Sequence, residues 1–152
     1  MKKVVVVLLL PLLIGCTSEV EKNKIAYLDY KNNLQEQETF NTKEEIDFNT
    51  YFNIKRENEE IVNYSIIIND PSIDMYNIKA LLIHDLIQDE VYPSVGIMDK
   101  PVELLKDTED KIELKGTIQT TEDISNVNFR LYIEYTDKDN NQNKIYYQVS
   151  KG

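Results

Sequence analysis

The feature that most constrains the fold of this chain is a period-two alternation of apolar and polar side chains from residue 45 onward. Ile46, Phe48, Phe52 and Ile54 share one parity, and polar residues occupy most of the positions between them. Successive side chains of a β-strand point to opposite faces of its sheet, so this pattern indicates a strand with one buried face. Comparable patterns recur later, in residues 61–69, 112–118, 127–135 and 145–149. The folded part of the chain is therefore predicted to be all-β.

The number and spacing of these segments predict how the strands are arranged. An apolar run at residues 76–83 adds a strand, and residues 86–98, with Pro93 and Gly96, are expected to be irregular or an edge strand. Short strands separated by frequent turn signals favour an antiparallel β-sandwich of about seven strands. The spacing resembles immunoglobulin-like domains in architecture alone, because the chain has no Trp and a single Cys. A small eight-stranded, lipocalin-like barrel is the alternative fold.

The N-terminus carries a different signal. Lys2 and Lys3 precede an unbroken apolar run over residues 4–14, which would span only about 17 Å as a helix, too short for a bilayer core. The run is typical of a signal peptide and ends in Leu13-Ile14-Gly15-Cys16. This ending resembles the lipobox of bacterial lipoproteins, although no specific family is identified. A plain secretory signal that happens to end near a cysteine is the alternative.

The lipobox resemblance implies how the chain is divided. It implies a lipoprotein signal peptide at residues 1–15 and a Cys16 that carries acyl chains such as palmitate. A polar tether follows Cys16 to residue 43, and residues 44–152 form the sandwich. A short helix or first strand over residues 25–34, docked on the domain, is the alternative to a tether. The protein is then expected on the extracytoplasmic side of the cell membrane, or at the outer membrane of a Gram-negative host.

The net charge of the chain limits the classes of partner that it can bind. The 152 residues include 17 Lys and Arg against 27 Asp and Glu, a formal net charge of −10. Phosphate backbones would repel such a surface, so nucleic acid is excluded as a partner. Anionic lipid headgroups would repel it too, so the acyl chains on Cys16 alone are expected to hold the protein at the membrane. One cysteine cannot form an internal disulfide framework.

Two groups of polar residues resemble catalytic or metal sites, but neither is predicted to be one. His84 is the only histidine and precedes Asp85, but adjacent strand residues point to opposite faces, so a structural histidine is predicted, solvated or hydrogen-bonded. Asp137, Asp139 and Asn141 resemble the opening of a calcium loop, but Gln142 stands where such a loop needs glycine. A polar hairpin tip is favoured over a weak calcium site. No catalytic residue, metal site or cofactor is predicted.

The last hairpin supplies the candidate binding residues. Residues 127–135 and 145–149 keep equal parity on both sides of a polar loop, and Arg130, Tyr132 and Tyr146 are opposite in phase to the apolar set. Tyr and Arg are enriched at binding hot spots, so these three residues are predicted to face a partner. The alternative is that the tether or a neighbouring loop covers them.

Three function classes follow. The favoured one is a non-enzymatic envelope lipoprotein whose sandwich binds an envelope protein or a small ligand beside the membrane. The second is an immunity or protective lipoprotein, in which an acidic surface sequesters a cationic toxin. The third is a hydrolase, which is disfavoured because no nucleophile-base pair is apparent.

Overall fold

A computed structural model describes residues 19–86 and 94–150 of the chain. It contains one α-helix, α1 (Glu19–Glu36), a short 3-10 helix at Lys43–Glu45, and seven β-strands in the described residues. The strands are β1 (Asn49–Arg56), β2 (Ile61–Asn69), β3 (Met75–His84), β4 (Ser94–Leu104), β5 (Lys111–Gln119), β6 (Phe129–Thr136) and β7 (Gln142–Val149). The signal peptide predicted at residues 1–15 and Cys16 lie outside the described residues.

The strands form two antiparallel sheets that pack against each other. Sheet A has the order β1-β2-β5, and sheet B has the order β4-β3-β6-β7. The predicted all-β antiparallel sandwich is confirmed, and the lipocalin-like alternative is wrong because the two sheets do not close into a barrel. As in immunoglobulin-like domains, the first, second and fifth strands share one sheet, and the third, sixth and seventh share the other.

The core between the sheets follows the predicted parity. Inward side chains of β2, β5 and β6 are buried, and these include Val62, Tyr64, Ile66 and Ile68 of β2, Ile112, Leu114 and Ile118 of β5, and Phe129, Leu131, Ile133 and Tyr135 of β6. The registers place these residues on the facing sides of the two sheets. A one-residue slip of register would move every one of them to the outside, so the buried face fixes the pairing.

The fourth strand differs in part from the expectation. Residues 86–98 were expected to be irregular or an edge strand. The structure instead has one continuous strand, Ser94–Leu104, which runs through Pro101 at the edge of sheet B. Register irregularities interrupt its pairing with β3. Proline has no N–H to donate, and an edge position tolerates it because one side of the strand is unpaired.

The stretch before the sandwich also differs from the favoured expectation. Residues 16–43 were expected to be mainly a tether, yet α1 occupies Glu19–Glu36 and contacts β3, β4 and β6 on the outer face of sheet B. The alternative expectation, a short helix or strand over residues 25–34 docked on the domain, is therefore closer to the structure than a tether. Helices of this length are marginal alone in water, so the contacts with the sheet stabilise it. No helix among residues 19–86 and 94–150 is long and apolar enough to span a bilayer.

Candidate functional site

Tyr132, the central residue of the predicted partner surface, is fully buried beneath α1. Its ring centroid lies 4.8 Å from that of Tyr30 on α1, in a stacked arrangement, and 5.2 Å from that of Tyr146 on β7. Together with Leu34, Leu81 and Ile83, it forms a second apolar cluster, separate from the core between the sheets. The partner that covers Tyr132 is therefore the chain's own helix.

Arg130 holds the C-terminal end of the same helix. Its Nη1 donates hydrogen bonds to the carbonyl oxygens of Leu34 at 3.3 Å and Gln35 at 2.5 Å. The last carbonyls of a helix have no intrahelical donor and carry partial negative charge, so a guanidinium at this position both satisfies and neutralises them. The guanidinium carbon also lies 5.5 Å from the ring centroid of Phe40. Arg130 is thus a cap for α1.

Tyr146 is half-buried at the edge of sheet B, where the segment after α1 pairs with it. The backbone N–H of Asn41 donates to the carbonyl of Tyr146 at 2.7 Å, and the N–H of Tyr146 donates to Asn41 Oδ1 at 3.0 Å. These bonds occupy part of the free edge of β7, which would otherwise be open to another strand. The backbone of Tyr146 is therefore engaged within the chain.

The prediction that Arg130, Tyr132 and Tyr146 face a partner is corrected by these contacts. The three residues do share the outer face of the hairpin, as parity predicted, but α1 and residues 37–42 cover that face. The sequence contains a signal for this. Tyr27, Tyr30 and Leu34 have helical spacing and share one face of α1, and β3 is apolar at consecutive positions 80–83, as strands buried on both faces are.

A buried carboxylate lies under α1 beside Tyr132. Glu134 accepts hydrogen bonds at Oε2 from the hydroxyls of Tyr132 at 2.7 Å and Tyr30 at 3.1 Å. Lys79 and Lys144 lie 3.8 and 3.9 Å from its oxygens. Burial alone would raise the pKa of Glu134, but the two hydroxyls and the two ammonium groups outweigh it and lower the pKa below its ordinary value. Burial also raises the pKa of Tyr132, and the neighbouring Glu134 adds to the effect.

His84 and Asp85 line the same small hollow, but their side chains make different contacts. The imidazole is buried among aromatic rings, with centroids 5.7 Å from those of both Tyr64 and Phe129, and neither ring nitrogen has a hydrogen-bond partner in the described part of the chain. Burial lowers the pKa of His84, against the opposing charge of Asp85. The exposed Asp85 carboxylate instead accepts the N–H and the side-chain amide of Asn128 at 2.8 and 2.7 Å. Among the described residues, the contacts of the His84 imidazole are thus mainly with aromatic rings.

The carboxylate of Asp137, at the tip of the β6–β7 hairpin, accepts hydrogen bonds within the turn. Asp137 accepts the backbone N–H groups of Asp139 and Asn141 at 2.8 and 2.9 Å, and the Asn141 amide at 2.9 Å. Hydrogen bonds from Asn141 lower the pKa of Asp137. Over residues 19–86 and 94–150, no group of three His, Cys, Asp or Glu side chains is placed to hold a metal ion.

The outer face of sheet A, here called face A, is the open counterpart of the face that α1 covers. Three adjacent rows of its side chains cross β1, β2 and β5 according to the strand registers: Tyr51, Ile67 and Glu113; Asn53, Ser65 and Lys115; Lys55, Asn63 and Thr117. The last two rows line a shallow hollow of about 490 Å³. Tyr51, in the adjacent row, is 59% exposed. Face A therefore combines amides, hydroxyls, charges and one exposed aromatic ring.

Some of the polar groups on face A are paired with one another, and others are not. Thr117 Oγ1 donates to Asn63 Oδ1 at 3.0 Å, and Lys115 Nζ lies 3.1 Å from Glu113 Oε2. Asn63 Nδ2 donates to Glu57 Oε2 at 2.7 Å at the margin of the face. The side chains of Asn53, Lys55 and Ser65 have no hydrogen-bond or ion-pair partner among the described residues. The free groups lie on adjacent strands, where one ligand could reach all three.

No protein-family model, curated protein or solved structure matches the chain. The geometry of the two outer faces is therefore the basis for assigning a function. Arg130, Tyr132 and Glu134 are occupied by contacts under α1, whereas on face A Asn53 and Lys55 are exposed and Ser65 is half-buried. Donors and acceptors that are already exposed can bind without first losing an internal partner. Sequence reasoning missed face A because alternating polar residues on a strand are typical of any solvated face.

Proposed function

We propose that this protein is a lipid-anchored, non-enzymatic binding module on the extracytoplasmic side of the cell membrane, with face A as its binding surface. The observation that carries the proposal is the contrast between the two sheets. The chain covers the outer face of sheet B with its own helix, and it leaves a hollow with free polar side chains on sheet A. An exposed set of convergent polar groups beside an aromatic ring suits the recognition of a ligand.

The position of the predicted anchor supports this function. Cys16 precedes Glu19, the first residue of α1, by three positions, so only Thr17 and Ser18 separate a lipidated Cys16 from the helix. Two acyl chains would hold the protein stably, because each buried methylene contributes about 0.8 kcal/mol. With α1 packed on sheet B, the anchor would be attached on the side of the sandwich opposite face A. This arrangement would leave face A accessible.

The occupied titratable groups favour binding over catalysis. A hydrolase needs a nucleophile within hydrogen-bond reach of a base, with the base oriented by a third group. His84 is enclosed by aromatic rings, and the carboxylates of Asp85 and Glu134 accept hydrogen bonds from neighbouring side chains. These contacts favour a structural role for the three residues over a catalytic one.

Replacement of Cys16 tests the anchor. Cys16→Ala should abolish the incorporation of labelled palmitate and leave the protein either retained as the precursor or released, because the acyl chains have no other attachment point. The measurement is metabolic labelling followed by cell fractionation, with Lys138→Gln as a control that should label normally. Undiminished labelling of Cys16→Ala would contradict the lipoprotein assignment.

Crosslinking in intact cells tests the binding surface. A photoreactive residue at Ser65, in the middle row of face A, should form adducts with a cell-envelope component. The same residue at Lys138, on the exposed hairpin tip, should form none above background. Equal adducts at both positions, or none at Ser65, would contradict the assignment of face A.

A further inference from the structure

We infer that face A binds a glycan strand that carries carboxylate groups, an inference that rests on the proposed function and names its ligand class. A carbohydrate presents rows of hydroxyls, which both donate and accept hydrogen bonds, and apolar C–H surfaces. The free side chains of face A match both features. The Asn53 amide offers donors and an acceptor, and the Ser65 hydroxyl can do either.

The dimensions of face A suit a short segment of such a strand. Adjacent strands are roughly 4.8 Å apart and residues along a strand roughly 3.3 Å apart, so the face is roughly 10 Å wide and roughly 13 Å long between Tyr51 and Lys55. The exposed ring of Tyr51 lies at one end and the ammonium group of Lys55 belongs to the row at the other. A sugar ring over Tyr51 would place the next units of the strand above Ser65 and Lys55.

The charge of face A selects an acidic strand. The chain has a formal net charge of −10, yet the three rows of face A hold two lysines, Lys55 and Lys115, against a single glutamate, Glu113. Glu113 is paired with Lys115, and Glu57 at the margin accepts from Asn63. Lys55 is left without a carboxylate partner in the described part of the chain. A carboxylate on the ligand would complete this pair, and the acidic remainder of the surface would repel the strand elsewhere.

Among the described residues, the outer face of sheet B offers no comparable open surface for a glycan, because α1 covers it. The aromatic residues there, Tyr30, Tyr132 and Tyr146, stack on one another under α1, and the carboxylate of Glu134 is held by two hydroxyls. Binding at that side would require α1 to detach and would break these contacts. Face A needs no such change.

A titration with matched ligands tests the inference. The purified protein is titrated calorimetrically with a tetrasaccharide of alternating N-acetylglucosamine and N-acetylmuramic acid, with chitotetraose of equal length and no carboxylates, and with polyglutamate. We expect the acidic tetrasaccharide to bind about fivefold or more tightly than chitotetraose, and polyglutamate to bind more weakly than either. Equal binding of polyglutamate would show that charge alone is recognised and would overturn the inference, as would equal binding of the two sugars.

Substitutions on face A locate the binding. Lys55→Gln should weaken the binding of the acidic tetrasaccharide about fivefold and change the binding of chitotetraose less than about twofold. Tyr51→Ala should weaken the binding of both sugars. Lys138→Gln is the charge-matched control and should change neither. If Lys55→Gln has no effect, the inference is overturned. If no sugar binds but the photoreactive residue at Ser65 still forms adducts in cells, the glycan inference fails alone; if those adducts are also missing, the proposed function fails with it.

Discussion

The outer faces of the two sheets have the same period-two pattern and different surroundings. On sheet A, Tyr51 points outward and is 59% exposed. On sheet B, Tyr132 also points away from the core between the sheets, but its exposed fraction is 0% because α1 lies over it. Strand parity places both residues on outer faces, and only Tyr51 meets solvent. Strand parity therefore distinguishes the inner face from the outer one but does not say whether the outer face is covered.

The neighbours of these tyrosines explain the difference. Tyr51 is opposite Ile67 on β2, in a face otherwise composed of polar and charged side chains. Tyr132 is opposite Leu81 on β3 and Tyr146 on β7, so three large side chains adjoin on sheet B. A contiguous apolar patch of this kind gains free energy by being covered, at roughly 25 cal/mol for each Å² removed from water. Single exposed apolar residues, as on sheet A, need no cover.

The comparison is tested most strongly by removing each tyrosine ring. Tyr132→Ala should lower the free energy of unfolding by about 3–5 kcal/mol, because it leaves a cavity under α1 and removes a donor from Glu134. The matched substitution Tyr51→Ala should change it by less than about 0.5 kcal/mol. Urea denaturation measures both. Similar small losses for the two variants would mean that α1 does not cover sheet B in solution.

A smaller effect is expected from the hydroxyl of Tyr30. Tyr30→Phe should destabilise the protein by about 1–2 kcal/mol at neutral pH, because it removes a hydrogen bond to the ionised Glu134. The folded protein lowers the pKa of Glu134, so this contribution is complete above the unfolded value of 4.5 and is lost as the pH falls below it. The stability of both proteins is measured between neutral and acidic pH.

The control for Tyr30 is the neighbouring Tyr146. Its hydroxyl makes no hydrogen bond among the described residues. At neutral pH, Tyr146→Phe should therefore lower the free energy of unfolding less than Tyr30→Phe does. If the free energies of unfolding of Tyr30→Phe and of the unmodified protein differ by the same amount at every pH, the assigned role of Glu134 is contradicted.

The smallest effect is expected at the end of the helix. Arg130→Met keeps most of the alkyl chain but removes the donors to the carbonyls of Leu34 and Gln35. It should cost about 0.5–1 kcal/mol and speed amide hydrogen exchange in the last turn of α1, since capping by a cation acts mainly on the terminal turn. Lys138→Met, at the hairpin tip, should leave this exchange unchanged. Unaltered exchange in Arg130→Met would show that other contacts fix the end of α1.

Much of the sandwich could be predicted from local pattern. The inward positions of β2, β5 and β6 were identified correctly because a period of two leaves one choice once a face is buried. The edge strand β4 was harder, because Pro101 and a broken register with β3 interrupt its pattern. The helix was favoured less than a tether because α1 is mainly polar and its three anchoring residues, Tyr27, Tyr30 and Leu34, are diluted among charged neighbours.

The sequence by itself determined the strands of the sandwich, their inward faces and the segment that resembles a lipobox, because each depends on residues adjacent in the chain. Only the tertiary structure decided which outer face is covered and which is open. That outcome depends on β3 and on the β6–β7 hairpin, which are distant from each other in sequence and together present the patch that receives α1. A polar helix of this length has little stability of its own, so its formation and its position are settled by the surface on which it packs.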